Sequence, residues 1–401
     1  MNSALQEATP IEGRAPQRRL AVAAIGLALV VLGASMYNIL PLLTAGAADK
    51  LGFSARQAGV MSSVLTAASG ASALLAGAWV RSLSWSRGAA ISLGGMCAAC
   101  PAAMLTHGYW PFVWLQGLAA FFASGAFSLG MTIVSDGRES ARGFGIAIST
   151  QAAYQIAALW AGPSLLRLSG LDGVLALLAV PAGLAVALSP LLPAAGRAVR
   201  THGAARGLLN PATLIAFIGF TAFFIGAGAY WTYLELMGQA QGMSSQAVGN
   251  WAAIAVAAGI PGGVLASLQG GRLGNLPPLA FSTVLILIAA ALLSGSHGAT
   301  SFGIAGAIYY FAWCYGVAYQ YALVNAVDPT GRAVAVTGGC AFFGSAAGAA
   351  LAALFVTPHD YDAVVWIVAV GVCVSTAMFA IAAAIRKRRK PSKRGAVPAR
   401  G

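Results

Sequence analysis

The chain has 401 residues, 59% hydrophobic and only 8% charged, with a formal net charge of +13. Soluble domains carry roughly 25% charged residues, so water is not the main solvent here and a soluble globular domain is excluded. The cysteines Cys97, Cys100, Cys314, Cys340 and Cys373 all lie in apolar runs, which argues against a disulfide framework, a zinc cluster or a redox role for the Cys97/Cys100 pair.

Residues 1–19 form a polar tail ending in Arg18 and Arg19. The apolar run that follows is longer than a signal-peptide core of about 7–15 residues, so it reads as a retained first membrane helix. Runs near the roughly 20 residues needed to cross a ~30 Å hydrocarbon layer predict spans at 20–45, 57–80, 88–106, 110–133, 143–166 and 172–192. Residues 193–210, with Arg197, Arg200, His202 and Arg206, read as a polar linker. Six more spans follow at 211–237, 246–269, 277–296, 301–326, 333–356 and 363–385, then a basic tail over 386–401. The expected fold is an all-α membrane protein, with twelve transmembrane helices in two six-helix bundles over 20–192 and 211–385.

Charge orients this arrangement. With both ends in the cytoplasm, only Lys50, Arg56 and Arg167 fall outside, and all other Lys and Arg face the side that should hold the excess. The positive charge is therefore a signature of topology, and no nucleic-acid partner is expected. The basic tail from Arg386 to Arg394 reads as an anchor of that topology.

An internal repeat supports two halves. Gly52, Ser54 and Gly59, before span 2, recur as Gly242, Ser244 and Gly249 before span 8, and the same 190-residue offset carries Arg142 onto Arg332. Matched loops of this kind are the pattern of parallel repeats related about the membrane normal.

Several loops carry motif fragments. After span 2, Gly77 is followed by Arg81 and Arg87; its second-half echo is Gly263 with Gly271, Arg272, Leu273 and Gly274. Asp136, Arg138, Glu139 and Arg142 form a charged loop between spans 4 and 5, and Ala161, Gly162 and Pro163 lie in span 5. On these residues the chain resembles the major facilitator superfamily over nearly its whole length, although the first loop lacks that family's acidic residue and second glycine. The resemblance implies two bundles rocking about a central cavity, with spans 1, 4, 7 and 10 lining it. It also implies switch contacts at Gly77, Arg81, Arg87, Asp136, Arg138, Arg142, Arg272 and Arg332. Gly162 and Pro163 resemble the core of an antiporter motif, and a simple proline kink accounts for them equally well.

Composition agrees with that division. Most of the tyrosines lie in spans 7 and 10, where a hydroxyl in hydrocarbon needs a partner. Phe220, Phe224, Ala227, Trp231 and Glu235 share one helical face of span 7, as do Tyr309, Trp313, Gly316 and Gln320 in span 10. Gln151, Tyr154 and Gln155 cluster in span 5, while Asn38, Gln116 and Ser124 add hydrogen-bonding groups in spans 1 and 4. Aromatics and amides also serve plain helix packing, which remains the competing account of each. Glu235 is the one carboxylate expected inside a span, near its outer end, and an ionisable group at membrane depth is by default a functional candidate. It is the candidate for proton coupling.

No histidine or lysine falls inside a predicted span. A phosphate-binding loop, a retinal Schiff base and a Ser-His protease are thereby excluded. The expectation is a non-enzymatic carrier of a small-molecule solute, monomeric, in a bacterial inner membrane, without cofactor or metal, and driven by a proton or other coupling ion. A neutral, aromatic or cationic amphiphile fits the lining, moved outward by proton exchange. Proton-coupled uptake and a non-transporting solute receptor are the alternatives.

Overall fold

The computed structural model describes residues 16–80, 82–135, 140–192, 210–270, 272–294, 298–327, 332–357 and 360–389. The expected switch residues Arg81, Asp136 and Arg138, most of the linker and the end of the basic tail lie outside the described residues. The side chains of Arg142 and Arg332 do so too, although their backbone is helical.

Twelve helices are present among the described residues: α1 (Pro16–Asn38), α2 (Leu40–Leu51), α3 (Ala55–Trp79), α4 (Trp85–Met104), α5 (Tyr109–Ser135), α6 (Ser140–Leu188), α7 (Pro211–Ala240), α8 (Ser245–Gln269), α9 (Leu276–Ser294), α10 (Ala299–Val327), α11 (Arg332–Ala353) and α12 (Asp362–Arg389). They divide the chain differently from the twelve crossings. The first crossing, expected as one rod over 20–45, is broken at Ile39 into α1 and α2. Pro41 accounts for the break, because it has no amide to give Tyr37. Conversely, the fifth and sixth crossings run together as α6. Its apolar stretch Ile146–Leu191 has 46 residues, or about 70 Å of helix against a ~30 Å layer, so it must fold back. It turns at one residue, Gly170, with φ 61° and ψ −166°.

The other ends follow from local chemistry. Ser54 caps α3 in a reciprocal pair with Gln57, Ser84 and Ser244 cap α4 and α8, and Asn210 caps α7 just before Pro211.

Two bundles result. In the first, α1 packs on α5 and α6, and α5 also on α3 and α4; in the second, α7 packs on α11 and α12, and α10 on α8 and α9. Lipid tails are as apolar as leucine, so helices associate here through close backbone approach at small residues. Gly33 seats against the backbone of Phe127 and Ala123, Gly130 against Gly26 and Val30, Gly228 against Ser345, and Gly348 against Ile225. Leu168, Trp366, Trp160 and Leu268 point outward and are exposed, as a lipid-facing rim requires.

Twelve crossings return the chain to the side where it began; the opposite side is called distal below. There Lys50 pairs with Asp172 and donates to the Met104 carbonyl, tying α2, α4 and the second limb of α6. Both side chains are substantially exposed, so Lys50→Met is expected to cost at most about 1 kcal/mol. A thermal melt should show a small loss that vanishes in high salt.

Candidate functional site

The bundles meet chiefly along three seams, α3 with α11, α6 with α8, and α2 with α7, with a smaller contact of α3 on α7. Hydrogen bonds joining them cluster on the distal side. Trp231 Nε1 donates to the Tyr37 carbonyl at 2.8 Å, Tyr233 donates its hydroxyl proton to the Ala55 carbonyl at 3.1 Å, and Thr44 reaches the Thr232 carbonyl at 3.4 Å. The Tyr37 carbonyl is the one that Pro41 leaves without a helical amide, so the opposite bundle supplies the donor that its own helix lacks. On the second seam Gln246 donates to the Trp160 carbonyl and to Asn250, and accepts from Ser164, which Arg167 holds in turn.

Below this closure α7 and α10 build a continuous aromatic wall. Phe220 stacks on Phe224 with ring centroids 5.0 Å apart, Phe224 meets Trp313 edge-on at 6.0 Å, Trp313 leads to Tyr310 at 6.3 Å, and Tyr310 reaches Trp231 at 5.7 Å. Tyr309 completes it against Tyr230 at 4.2 Å. Across the seam Tyr37 lies edge-on to Phe342 and within 3.4 Å of the Ser345 hydroxyl. The wall thus unites Phe220, Phe224, Trp231, Tyr309 and Trp313 and adds Phe223, Tyr230 and Tyr310. A strict single-face reading of each helix misses these added rings, because interdigitation between two facing helices uses flanking positions as well.

Not every expected residue joins it. Gly316 packs against Ser282 of α9, turning that part of the α10 stripe away from α7. Tyr315 and Tyr319 both donate to Gln269 of α8, at 2.5 and 3.2 Å, so these tyrosines serve packing inside the second bundle. Ser124 is likewise used locally, donating to the Ser69 carbonyl at 2.9 Å.

The amides divide into two groups. Gln151, Tyr154 and Gln155 are partly exposed on the first limb of α6, with Tyr154 close to Ser35 of α1. Asn38, Gln116 and Gln320 are almost fully buried, at 3%, 1% and 0% exposure. The Nδ2 of Asn38 and both amide atoms of Gln116 and of Gln320 find no hydrogen-bond partner among the described residues. Buried polar atoms of this kind cost about 1–3 kcal/mol each when unpaired.

Glu235 sits one turn beyond Trp231 on α7 and is only 4% exposed. Gln239 Nε2 donates to its carboxylate at 3.1 Å and to Ser245 Oγ at 3.0 Å, and Asp49 lies within electrostatic reach. It lies at the distal closure and not in the aromatic wall.

Gly162 abuts Leu42 of α2 within the first bundle, whereas Pro163 faces Gly249 of α8 across the seam. Helical dihedrals continue through Pro163, and the corner of α6 is at Gly170. Gly77, Arg87 and Arg272 are exposed on the side of the termini.

The family model described as Major Facilitator Superfamily matches residues 25–328. Among solved structures, the nucleoside transporter NupG is similar with a TM-score of 0.69 at 15% identity, covering 92% of this chain and 99% of its own. A bacterial homologue of the human lysosomal transporter Spinster, inward-facing and unoccupied, gives 0.70 at 12% identity, with 93% and 97% covered. A D-xylose-proton symporter gives 0.66 at 14% identity, with 92% and 96% covered. At such identities the likeness is one of fold. No curated protein matches the sequence.

Proposed function

Because the chain belongs to the Major Facilitator Superfamily, we propose that it is a secondary active transporter that exports a neutral, aromatic or cationic amphiphile in exchange for protons. The proposed division has bundles at 20–192 and 211–385, a linker at 193–210 and tails at 1–19 and 386–401. Both tails are cytoplasmic in a bacterial inner membrane on this reading, and the distal closure is then periplasmic. The observation that carries the proposal is Glu235, a carboxylate held almost out of solvent by neutral donors, on the helix that also supplies half of the aromatic wall.

In this scheme the wall receives apolar and cationic rings through stacking and cation–π attraction. Asn38, Gln116 and Gln320 offer donors and acceptors to the polar part of the solute. Protonation of Glu235 removes a charge from the closure and so alters which side opens, which is how one titrating site couples to a two-state element.

A second reading, proton-coupled uptake, draws support from the likeness to the D-xylose-proton symporter. The two differ in the sign of proton movement. Proteoliposomes loaded with a pH dye and offered a panel of aromatic, neutral and cationic solutes should report opposite proton fluxes for exchange and symport. Counterflow by any panel member separates a carrier from a solute receptor. Glu235→Gln is expected to keep counterflow but lose solute-driven proton movement, and proton flux that persists at the unmodified rate removes Glu235 from coupling.

A further inference from the structure

The repeated Gly-x-Ser-x4-Gly segment has a role in the structure that the transport reading does not assign. Gly52 and Gly242 end α2 and α7 in the left-handed region, with φ of 67° and 80°. Ser54 and Ser244 then cap α3 and α8, each hydroxyl accepting from the amide three residues on, that of Gln57 and that of Ala247. Turn and cap together fix where each helix starts. The glycine five residues after each cap therefore arrives at a set height and on a set face.

Each of these glycines is pressed by the opposite bundle. Gly59 lies directly beneath the hydroxyl of Tyr233, and a Cβ there would come within 2.8 Å of the Ala353 methyl. A Cβ at Gly249 would stand 2.5 Å from the Leu159 carbonyl oxygen and 2.6 Å from Cγ of Pro163. Ala353 and Pro163 are related by the same 190-residue offset as the two glycines. One contact is thus made twice about the pseudo-twofold axis, glycine of one bundle on the partner helix of the other. On the Gly249 side the covered oxygen is the one that Pro163 leaves without its helical amide.

We propose that Gly59 and Gly249 are the paired seats on which the bundles close distally, and that any side chain at either position holds the distal side apart. This rests on the transport reading only in treating closure as a step of a cycle. The two seats are unequal. The Tyr233 hydroxyl is the end of a side chain and can swing aside, whereas the Leu159 carbonyl and the Pro163 ring are fixed to the backbone. Opening α6 from α8 also strips Gln246 of its bonds to Trp160 and Ser164.

The test uses the full chain in lipid nanodiscs, with the five cysteines replaced by alanine and nitroxide labels at Arg56 and Asp360, exposed distal positions on opposite bundles. Spin–spin distance distributions are the readout. The unmodified chain should give mainly a short distance, Gly59→Ala should add a minor longer component, and Gly249→Ala should make the longer component dominant. Tyr233→Phe removes the hydroxyl over Gly59 together with its bond to the Ala55 carbonyl, so Gly59→Ala should add little longer component beyond that of Tyr233→Phe alone, whereas Gly249→Ala should still make it dominant. Gly94→Ala, a mid-helix position with open space for a Cβ, should match the unmodified chain. If Gly249→Ala does not fold, the Gly59 pair with and without Tyr233→Phe decides the matter. Short distances in both folded glycine variants, or a longer component that Gly59→Ala enlarges as much with Tyr233→Phe as without it, overturn the proposal. Shifted distances in a chain that shows no counterflow with any solute would support the seats and sink the transport reading alone.

Discussion

Valine at Gly348 is expected to strip the membrane of folded protein. A Cβ at that position would overlap the Ile225 carbonyl oxygen and lie 2.8 Å from its carbon and 3.0 Å from the Ala229 amide nitrogen. These are backbone atoms of α7, which cannot rotate away, so α11 must retreat along its whole length. One turn earlier Gly344 sits 2.7 Å from the Thr221 carbonyl oxygen by the same measure, and Gly228 of α7 meets Ser345 in return. Retreat therefore opens three close approaches at once, where packing is the main attraction between helices. Overpacking a well-filled site costs typically 1–3 kcal/mol and more when backbone is displaced, so roughly 3 kcal/mol or more is expected for Gly348→Val. Size-exclusion profiles and melting of detergent-solubilised protein measure it. Gly94→Val, with nothing near its Cβ, should keep a monodisperse peak and a nearly unchanged melt; equal damage at both positions would sink the packing account.

Trp231→Phe has the second-largest expected effect, on conformation and not on folding. The indole donates across the seam to the Tyr37 carbonyl at 2.8 Å, and Pro41 has already removed that carbonyl's helical partner. Phenylalanine keeps the ring contact with Tyr310 but leaves the oxygen bare in a buried site. The penalty of about 1–3 kcal/mol for an unsatisfied group corresponds to a shift of about five- to 150-fold in the ratio of closed to open states. Hydrogen exchange of the α2 and early α3 amides should accelerate by a similar factor. Combining Trp231→Phe with Pro41→Ala restores an amide at position 41 of α2 that can donate to the Tyr37 carbonyl and should recover most of the protection. A double variant that exchanges as fast as Trp231→Phe alone means that the indole closes the seam by its bulk.

How much of this is legible in the sequence depends on the range of the interaction. The 190-residue repeat is a property of a few neighbouring residues, and the structure gives its members a shared local role as left-handed glycines and serine caps. The break at Ile39 is also local, since Pro41 is plain to see, but hydropathy averages over a window and reads straight through it. The turn at Gly170 falls between the spans read at 143–166 and 172–192, although hydropathy alone does not single out that glycine.

The site divides along the same line. Aromatic enrichment of α7 and α10 predicts a wall, and helical spacing names five of its rings. Spacing on one helix cannot say how a facing helix is rotated, so it includes Gly316, which turns to α9, and leaves out Tyr310 and Phe223. Glu235 is recognisable as unusual, yet its neighbours Gln239, Ser245 and Asp49 come from a helix end and two other elements.

By itself the sequence determined that lipid surrounds this chain, that it crosses twelve times in two related halves, and which helices carry polar and aromatic chemistry. Those conclusions rest on solvation and on local backbone chemistry, which each segment carries independently of its partners. Only the tertiary structure decided which carbonyl Trp231 satisfies, which glycines bear the opposite bundle, and which amides are left unpaired. Such facts depend on the rotation and height of one helix against another, set by the summed packing of all twelve crossings and written in no single one of them.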